Sequence, residues 1–287
     1  MILREPWEYV SGAAAMRLGV PNAQVAFGLA RPLWEEIGVH APELNGLREG
    51  LVDELRWSPF LTRLPASLDA SPFPATRRYR DPAAVPGDAL PSWWADSGAP
   101  LLYVSFGTVL GRMPSFGEVC RAVIDAVAGF DARVLVTVGH DFDVSLLPDV
   151  PANVHVEAWV DQANVLGEAG LMVCHGGSGT VYGALAEGVP LVILPMFADQ
   201  FDNARAVVTV GAGVVLVAPG AGGGRLKRHV TQVDVPRIRR AIETVLGGRS
   251  YGQAAQALAA EMATAPTIET LLEQLVQPRT SLSPGRP

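Results

Sequence analysis

The stretch "CHGGSGTVYGALAEG", residues 174–188, combines an imidazole, a glycine-rich turn and a segment of helical pattern. It follows the apolar run "LMVC", which predicts a buried strand ending at Cys174. Backbone N–H groups at a helix N-terminus bind anions, and glycines let the backbone approach a ligand closely. The segment therefore predicts a phosphate site to which His175 adds a hydrogen bond. The alternative is that His175 is a structural histidine and that the glycines only turn the chain.

Two further loops follow apolar runs in the same way. "SFGT", residues 105–108, follows "LLYV", and "MFADQFDNA", residues 196–204, follows "PLVILP". Ligands of open α/β sheets bind beyond the carboxyl ends of the strands, so these loops are expected to reach the same ligand. The Asp199 carboxylate and the Gln200 amide are suited to holding sugar hydroxyls, although Asp199 is also a plausible helix N-cap.

The segment "AWVDQANVL", residues 158–166, places Trp159 and Gln162 after another strand-like run, where an indole can hold a nucleobase. Its alternative is core packing with Asp161 as a helix cap. The "DFD" at residues 141–143 is suggestive of a metal-binding carboxylate pair. A tripeptide is unspecific and loop carboxylates are usually solvated, so no metal site is predicted.

Composition limits the function classes. The chain has 287 residues, 49% of them hydrophobic, which is enough for two domains. Its 22 basic and 29 acidic residues give a net charge of −7, and no long basic run is present, which argues against a nucleic-acid partner. The two cysteines, Cys120 and Cys174, lie in apolar segments and indicate buried thiols in a reducing cytoplasm. Neither a secretory signal nor an apolar run of about 18 residues is found, so no membrane partner is expected.

From about residue 100 onward, apolar runs alternate with segments of helical pattern, as expected for a doubly wound parallel sheet covered by helices. The six predicted strands are "LLYVSF", "RVLVTV", "VHVEAW", "LMVC", "PLVILP" and "GVVLV". Helices are predicted within "MPSFGEVCRAVIDAVAGF" and "VDVPRIRRAIETVLGG", the second capped by Asp234 with Pro236 in its first turn.

The first 65 residues predict only part of an α/β domain. "MILREP" and "NAQVAF" are predicted strands, "YVSGAAAMRLGV" a helix, and "LNGLREGLVDELRW" a single longer helix. Residues 66–92, rich in Pro, Ala, Ser and Asp, predict a linker in which "RRYR" is a solvated patch. The glycine-rich residues 219–225 and the tail "PRTSLSPGRP" predict disorder.

Taken together, "SFGT", "VEAWVDQANVL" and "CHGGSGTVYGALAEGVPLVILPMFADQFDNA" are more specific than any one of them. In order and spacing they resemble the donor-binding half of the macrolide and enediyne glycosyltransferases, which have a GT-B fold. "EPWEYVSGAAAMRLGVP" is similar to the middle of that family's acceptor domain.

The resemblance implies an α/β chain with two Rossmann-like domains, of which the N-terminal one is incomplete. It implies a partial acceptor-binding domain and linker over residues 1–90, a complete donor-binding domain over 91–265, and a C-terminal helix and disordered tail over 266–287. It also implies inverting transfer, without metal or cofactor, from a nucleotide sugar to a hydroxyl of a small natural product.

By the same resemblance, each loop has a role. The donor pyrophosphate is expected to contact His175, Gly177, Ser178, Gly179 and Thr180, together with Ser105, Gly107 and Thr108 of "SFGT". Trp159 and Val160 are expected to hold the base, with Gln162 beside it, and Asp199 and Gln200 to bind the sugar.

Two departures from the family pattern carry predictions. Members that use uridine donors commonly have a glutamate eight residues after this histidine, which binds the ribose hydroxyls, whereas this chain has Gly183. A missing ribose carboxylate favours a thymidine diphosphate donor, and a deoxysugar, over a uridine donor. The family also begins with a strand and a glycine-rich turn that carries a histidine, the general base, and no such segment is found here. His40, in "EEIGVHAPEL", lacks the turn, so no catalytic residue is assigned.

The missing segment leaves three interpretations open. The chain is an enzyme whose written start lies downstream of the real one, a remnant or regulatory protein that binds a sugar nucleotide without transferring it, or a split enzyme completed by another chain. A GT-B epimerase and a transferase acting on lipid-linked sugars are competing classes. Because a half sheet leaves an edge unpaired, association into a homo-oligomer or with a partner chain is expected.

Overall fold

The structure is a computed structural model, and it describes residues 1–82, 98–147, 149–217 and 229–276. These residues form two compact units. The first contains Met1–Leu64, the segment that begins at Ala70, and the chain from Thr264 onward. The second contains Pro65–Asp69 and the remaining described residues.

The first unit is built on a parallel sheet of four strands in the order β1-β2-β3-β4. Its strands are β1 (Ile2–Arg4), β2 (Asn22–Val25), β3 (Phe60–Thr62) and β4 (Thr76–Arg78). Four helices connect them, α1 (Tyr9–Leu18), α2 (Ala30–Val39), α3 (Ala41–Leu47) and α4 (Leu51–Trp57). Leu33, Ile37, Leu51 and Leu55 pack with Phe60 to form the core.

The sequence predictions for this unit are confirmed in part. The two predicted strands correspond to β1 and β2, and the predicted first helix to α1. The single long helix is wrong, because α3 ends at Leu47 and α4 starts only at Leu51. Gly50 lies between them with φ of 79°, a left-handed conformation that suits glycine and interrupts the helix. Neither α2 nor β3 was predicted.

The linker prediction is also wrong for residues 66–82. Within them β4 pairs with β3, Phe73 stacks on Phe60 with ring centroids 4.1 Å apart, and Tyr79 is 6% exposed. Burial of these two aromatic rings fixes a segment whose composition is typical of a linker. Of "RRYR", only Arg77 is exposed. Residues 83–92 lie outside the described residues.

The second unit contains a parallel sheet of six strands in the order β10-β9-β8-β5-β6-β7. They are β5 (Leu101–Ser105), β6 (Arg133–Thr137), β7 (Val154–Glu157), β8 (Ala169–Cys174), β9 (Leu191–Ile193) and β10 (Gly213–Val215). The helices are α5 (Phe116–Val127), α6 (Gln162–Leu166), α7 (Ser178–Ala186), α8 (Gln200–Thr209), α9 (Val235–Gly247) and α10 (Arg249–Ala263). All six predicted strands and both predicted helices of this unit are confirmed.

The strand order places a topological switch point between β5 and β8. From β5 the chain proceeds to β6 and β7 on one side, and from β8 to β9 and β10 on the other. In such sheets the loops at the carboxyl ends of the two central strands diverge and leave a crevice for a ligand. Here these loops are the ones that carry "SFGT" and "HGGSG".

The last described helix, α11 (Ile268–Val276), belongs to the first unit. Its Leu271 is buried against Ala23, Leu61 and Tyr79 of that unit's sheet. The tail after residue 276 and the glycine-rich residues 219–225, both predicted to be disordered, lie outside the described residues. Among the helices that are described, none has the length and apolar character needed to cross a membrane.

Candidate functional site

The "SFGT" and "HGGSG" loops leave the sheet side by side, as predicted. Ser105 at the end of β5 is the register partner of Cys174 at the end of β8. A Cβ atom built on Gly107 would lie 3.0 Å from Cε1 of His175, so the first loop packs directly on the imidazole. Gly107 has φ of 71°, which also favours glycine. The chain brings these two predicted loops together.

The His175 imidazole lies between two glycines. A Cβ atom on Gly177 would collide with its Nε2 atom, so the ring occupies the space that a side chain at residue 177 would need. Its Nδ1 atom is buried and has no hydrogen-bond partner among the described residues. Burial lowers the pKa of His175 to about 4, against the opposing effect of the Asp199 carboxylate. The ring is therefore neutral at pH 7 and able to donate one hydrogen bond.

The N-terminus of α7 provides the backbone donors. Its N-cap is Gly177, which offers no side-chain cap, and its first turn has no acidic residue. Gly179 in this turn is exposed, whereas Thr180 is buried. The preceding Gly176 has φ of 90°, and a Cβ atom there would lie 2.7 Å from Ile193 Cγ2, so only glycine fits. The uncapped N–H groups and the positive end of the helix dipole can hold an anion.

Ser178, Asp199 and Asn203 form one hydrogen-bonded cluster. The Ser178 hydroxyl donates to Asp199 Oδ2 at 2.7 Å. Asn203 Nδ2 lies 2.9 Å from Gly176 O, 3.1 Å from Ser178 Oγ and 2.9 Å from Asp199 Oδ2. The cluster joins the predicted phosphate loop to the predicted sugar-binding carboxylate. Sequence reasoning missed Asn203, although its spacing of four residues from Asp199 places the two side chains on one helix face.

Asp199 and Gln200 occupy different environments. Asp199 is exposed and stands at the N-cap position of α8, as the alternative predicted, but its side chain makes no capping bond. Gln200 is 2% exposed, and its Oε1 atom accepts from the backbone N–H groups of Met196 and Phe197 at 2.8 and 3.1 Å. Gln200 thus holds the loop before α8, which leaves only its Nε2 group to reach a sugar. Ala198, with φ of 53°, turns the chain immediately before Asp199.

The "SFGT" hydroxyls also differ. Ser105 is buried, and its Oγ atom accepts from Gly107 N at 3.4 Å, so this side chain braces its own loop. Thr108 is exposed at the end of the loop. Of the two, only Thr108 has a side chain open to a ligand.

The predicted base-binding residues follow β7; they are Trp159, Val160 and Gln162. In the sheet β7 lies two strands from β5, so the two strands are about 10 Å apart. The Trp159 side chain is 55% exposed and nearly parallel to the His140 ring, with centroids 6.2 Å apart. His140 was not predicted as a site residue. It follows the adjacent strand β6, and this position after a strand could have identified it as a candidate.

Gln162 begins α6 and lies over α7. A Cβ atom on Gly183 would be 2.8 Å from Gln162 Nε2, so the glycine makes room for this amide. Asp161 caps α6 by accepting from Ala163 N at 3.1 Å, as its alternative interpretation predicted.

The "DFD" carboxylates bind neighbouring groups. Asp141 pairs with Arg112 at 2.8 Å, and Asp143 accepts from Ser145 N at 2.9 Å. Within the described parts of the chain, no three His, Cys, Asp or Glu side chains are grouped as a metal site requires.

Comparison with known proteins identifies relatives of the chain. Residues 121–277 match the family described as Erythromycin biosynthesis protein CIII-like, C-terminal domain. L-demethylnoviosyl transferase of Streptomyces niveus is 29% identical over 297 residues, which cover 99% of this chain and 73% of that enzyme. The uncharacterized UDP-glucosyltransferase YojK of Bacillus subtilis is 30% identical over 181 residues, which cover 62% of this chain and 41% of that protein.

Solved structures with the same fold are also glycosyltransferases. The calicheamicin glycosyltransferase CalG4 matches with a TM-score of 0.74 and 23% identity, over 96% of this chain and 74% of that one. The spinosyn rhamnosyltransferase SpnG complexed with thymidine diphosphate matches with a TM-score of 0.75 and 25% identity, over 95% of this chain and 72% of that one.

The predicted fold and resemblance are thus confirmed. The chain has a GT-B glycosyltransferase fold and belongs to the family of the Erythromycin biosynthesis protein CIII-like, C-terminal domain.

Proposed function

We propose that the second unit is the donor-binding domain of a glycosyltransferase and holds the diphosphate of a nucleotide sugar. The observation that carries this proposal is the neutral His175 ring, packed against Gly107 and Gly177, at the uncapped N-terminus of α7. Both lie at the switch point between β5 and β8, where ligands bind in open α/β sheets. Family membership and the glycosyltransferase structures support it.

The chemistry of transfer explains why these groups are needed. As the bond between the sugar C1 and the diphosphate oxygen breaks, negative charge accumulates on the departing diphosphate. Backbone N–H groups of α7 and the neutral His175 N–H stabilise this charge, because both are oriented before the reaction begins. An acceptor hydroxyl attacks C1 from the opposite face, which inverts the configuration, and the reaction needs no metal or cofactor.

Attack by the hydroxyl requires a base for its proton, and none is assigned in this chain. His40 lies on the surface of the first unit, where its Nε2 atom is 3.1 Å from Oε1 of Glu36, one helical turn earlier in the chain. A second candidate function is that this chain binds the donor while another chain supplies the base. Donor binding is common to both candidates.

We further propose thymidine diphosphate sugars, and deoxysugars among them, as donors. Gln162 fills the space over Gly183, where a glutamate side chain would have to displace it. The complex of SpnG with thymidine diphosphate supports this choice. The proposed acceptor is a natural-product aglycone, as in the complex of SpnG with spinosyn aglycone, and the proposed location is the cytoplasm.

The experiment is calorimetric titration of the purified chain with thymidine and uridine diphosphates, first without metal and then with magnesium. Saturable binding that favours thymidine and does not depend on magnesium is the expected result. His175→Ala is expected to weaken the binding of thymidine diphosphate about tenfold, because one charge-assisted hydrogen bond is lost. His155→Ala is the matched control, because His155 bonds to Glu157 at 2.7 Å on β7 and has no part in the site.

Absence of binding to well-folded protein contradicts the proposal. If His175→Ala lowers thermal stability but not affinity, His175 is a structural histidine. Incubation with the donor alone separates transfer from epimerisation, since only an epimerase releases a changed sugar without an acceptor. Transfer to an added aglycone then distinguishes a complete enzyme from a chain that only binds the donor.

A further inference from the structure

Asn203 is a buried polar residue in the first turns of α8 that no predicted role explains. Its side chain is 4% exposed, and burying an amide is favourable only when its hydrogen bonds are made. All three acceptors of its Nδ2 group belong to the predicted donor site: Gly176 O, Ser178 Oγ and Asp199 Oδ2. One side chain therefore joins the loop after β8 to the helix after β9.

The bond to Gly176 fixes the direction of a peptide group. The peptides of the described residues are trans, so the carbonyl of Gly176 and the N–H of Gly177 point in opposite directions. Because Asn203 holds that carbonyl toward α8, the N–H of Gly177 faces away from α8. Gly176 has φ of 90° and little intrinsic preference for this conformation. The hydrogen bond from the Asn203 side chain is therefore needed to select it.

The bond to Asp199 orients a charge. Asp199 Oδ2 accepts from both Asn203 and Ser178, which leaves Oδ1 as the oxygen available to a sugar. The NH₂ group of Asn203 has two hydrogens for three acceptors, so two of the acceptors share one hydrogen.

We propose that Asn203 is a positioning residue that fixes the glycine loop and the Asp199 carboxylate relative to each other. This inference rests on the proposed function, because it states that Asn203 raises the affinity of the site for the diphosphate part of the donor. Its hydrogen bonds are with protein groups, and its proposed effect on the nucleotide acts through them.

Asn153 offers a matched control. It precedes β7, at the opposite edge of the same sheet, and its Nδ2 group also approaches three oxygens. These are the backbone oxygens of Val127, Phe130 and Ala132, at 3.0, 3.4 and 3.4 Å. Asn153→Ala thus removes a comparable set of bonds without touching the site.

The test titrates the wild-type chain, Asn203→Ala and Asn153→Ala with thymidine diphosphate and with thymidine. Asn203→Ala is expected to weaken the binding of thymidine diphosphate about tenfold and to leave the affinity for thymidine unchanged within about twofold. It is also expected to raise hydrogen exchange of the backbone amides of residues 174–181. Asn153→Ala is expected to change neither affinity nor this exchange.

Asn203→Asp, a variant of the same size, provides a second measurement if the alanine variant does not fold. Its carboxylate faces Asp199 and cannot donate a hydrogen bond. The variant is therefore expected to weaken the binding of thymidine diphosphate at least as much as Asn203→Ala does. Equal losses for thymidine and its diphosphate, or wild-type affinity in both variants, overturn the proposal. If the wild-type chain binds no thymidine diphosphate, the proposed function fails, and the exchange measurement alone decides whether Asn203 holds the loop.

Discussion

Each of the two units contains a cluster of polar side chains around a buried one, but the two clusters differ in access. In the first unit, Arg4, Asn22, Gln24 and Ser58 are all at most 5% exposed. In the second unit, the cluster around Asn203 includes the exposed carboxylate of Asp199. Buried polarity alone therefore does not identify a site. A site also needs groups that a ligand can reach, here Asp199 and the first turn of α7.

The first cluster is organised around a buried charge. Arg4 Nε lies 3.3 Å from Asn22 Oδ1, and its Nη2 lies 3.4 Å from Ser58 Oγ. Burial lowers the pKa of Arg4 to about 10, with Glu8 and Glu54 opposing the shift, so the guanidinium stays charged at pH 7. Its hydrogen-bond partners, which include the backbone oxygen of Glu5, all belong to the first unit, and we expect Arg4 to stabilise that unit.

The largest expected effect is the loss of this arginine. Arg4→Ala leaves Asn22 Oδ1 without its donor, removes one of the two donors to Ser58 Oγ and opens a cavity, so the free energy of unfolding is expected to fall by about 3 kcal/mol. Urea denaturation measures this change, and Arg17→Ala, an exposed arginine on α1, is the control. Thymidine diphosphate affinity of the folded fraction is expected to stay within about twofold. A larger loss of affinity would break the distinction between the two clusters.

The His175 ring, which lies near the second cluster, is expected to make stability depend on pH. The pKa of His175 is about 4 in the folded chain and about 6.5 when unfolded. As the pH falls from 7 to 5, the unfolded chain takes up a proton at this residue and the folded chain does not. The free energy of unfolding is therefore expected to fall by about 2 kcal/mol over this range through His175 alone.

The measurement is the difference in this acid sensitivity between the wild-type chain and His175→Gln. The glutamine variant is expected to lose about 2 kcal/mol less than the wild type on going from pH 7 to pH 5. Equal pH profiles for the two chains would show that the His175 ring titrates normally.

Gly177→Ala tests the space that the imidazole occupies. Gly177 has φ of −63°, which alanine adopts freely, so the collision with His175 Nε2 is the main consequence of the added Cβ. We expect the ring to be displaced and thymidine diphosphate affinity to fall about tenfold, with little change in stability. Gly252→Ala in α10, where nothing lies within 4 Å, is the matched control and is expected to stabilise the helix slightly. Unchanged affinity in Gly177→Ala would exclude the ring from the site.

The sequence predicted the second unit well because its strands are continuous apolar runs. All five residues of β5 are buried, and a strand buried on both faces is visible in composition alone. The first unit was harder, since β3 and β4 have only three residues each and β4 contains Arg77 and Arg78. Their identity as strands depends on pairing with each other, a contact that local patterns do not encode.

The same limit applies to the candidate site. The loops at Gly107 and His175 were predicted to meet because strand ends and glycines are local signals. The environments of Gln200 and Asn203 were not predicted, since both depend on which backbone groups of neighbouring loops lie within hydrogen-bonding distance. The buried position of Arg4 is likewise a product of packing, because an arginine at a strand end usually lies at the surface.

The smallest expected effect concerns the choice of nucleobase. Gly183→Glu must move Gln162, whose Nε2 atom would lie 2.8 Å from the new Cβ, and it adds a carboxylate that can accept from ribose hydroxyls. Uridine diphosphate has a 2′-hydroxyl that thymidine diphosphate lacks, so the ratio of the two affinities is expected to shift toward uridine about threefold. Gly183→Ala displaces Gln162 without adding a carboxylate and is expected to leave the ratio unchanged. If Gly183→Ala shifts the ratio as much as Gly183→Glu, the position of Gln162 and not a carboxylate selects the donor.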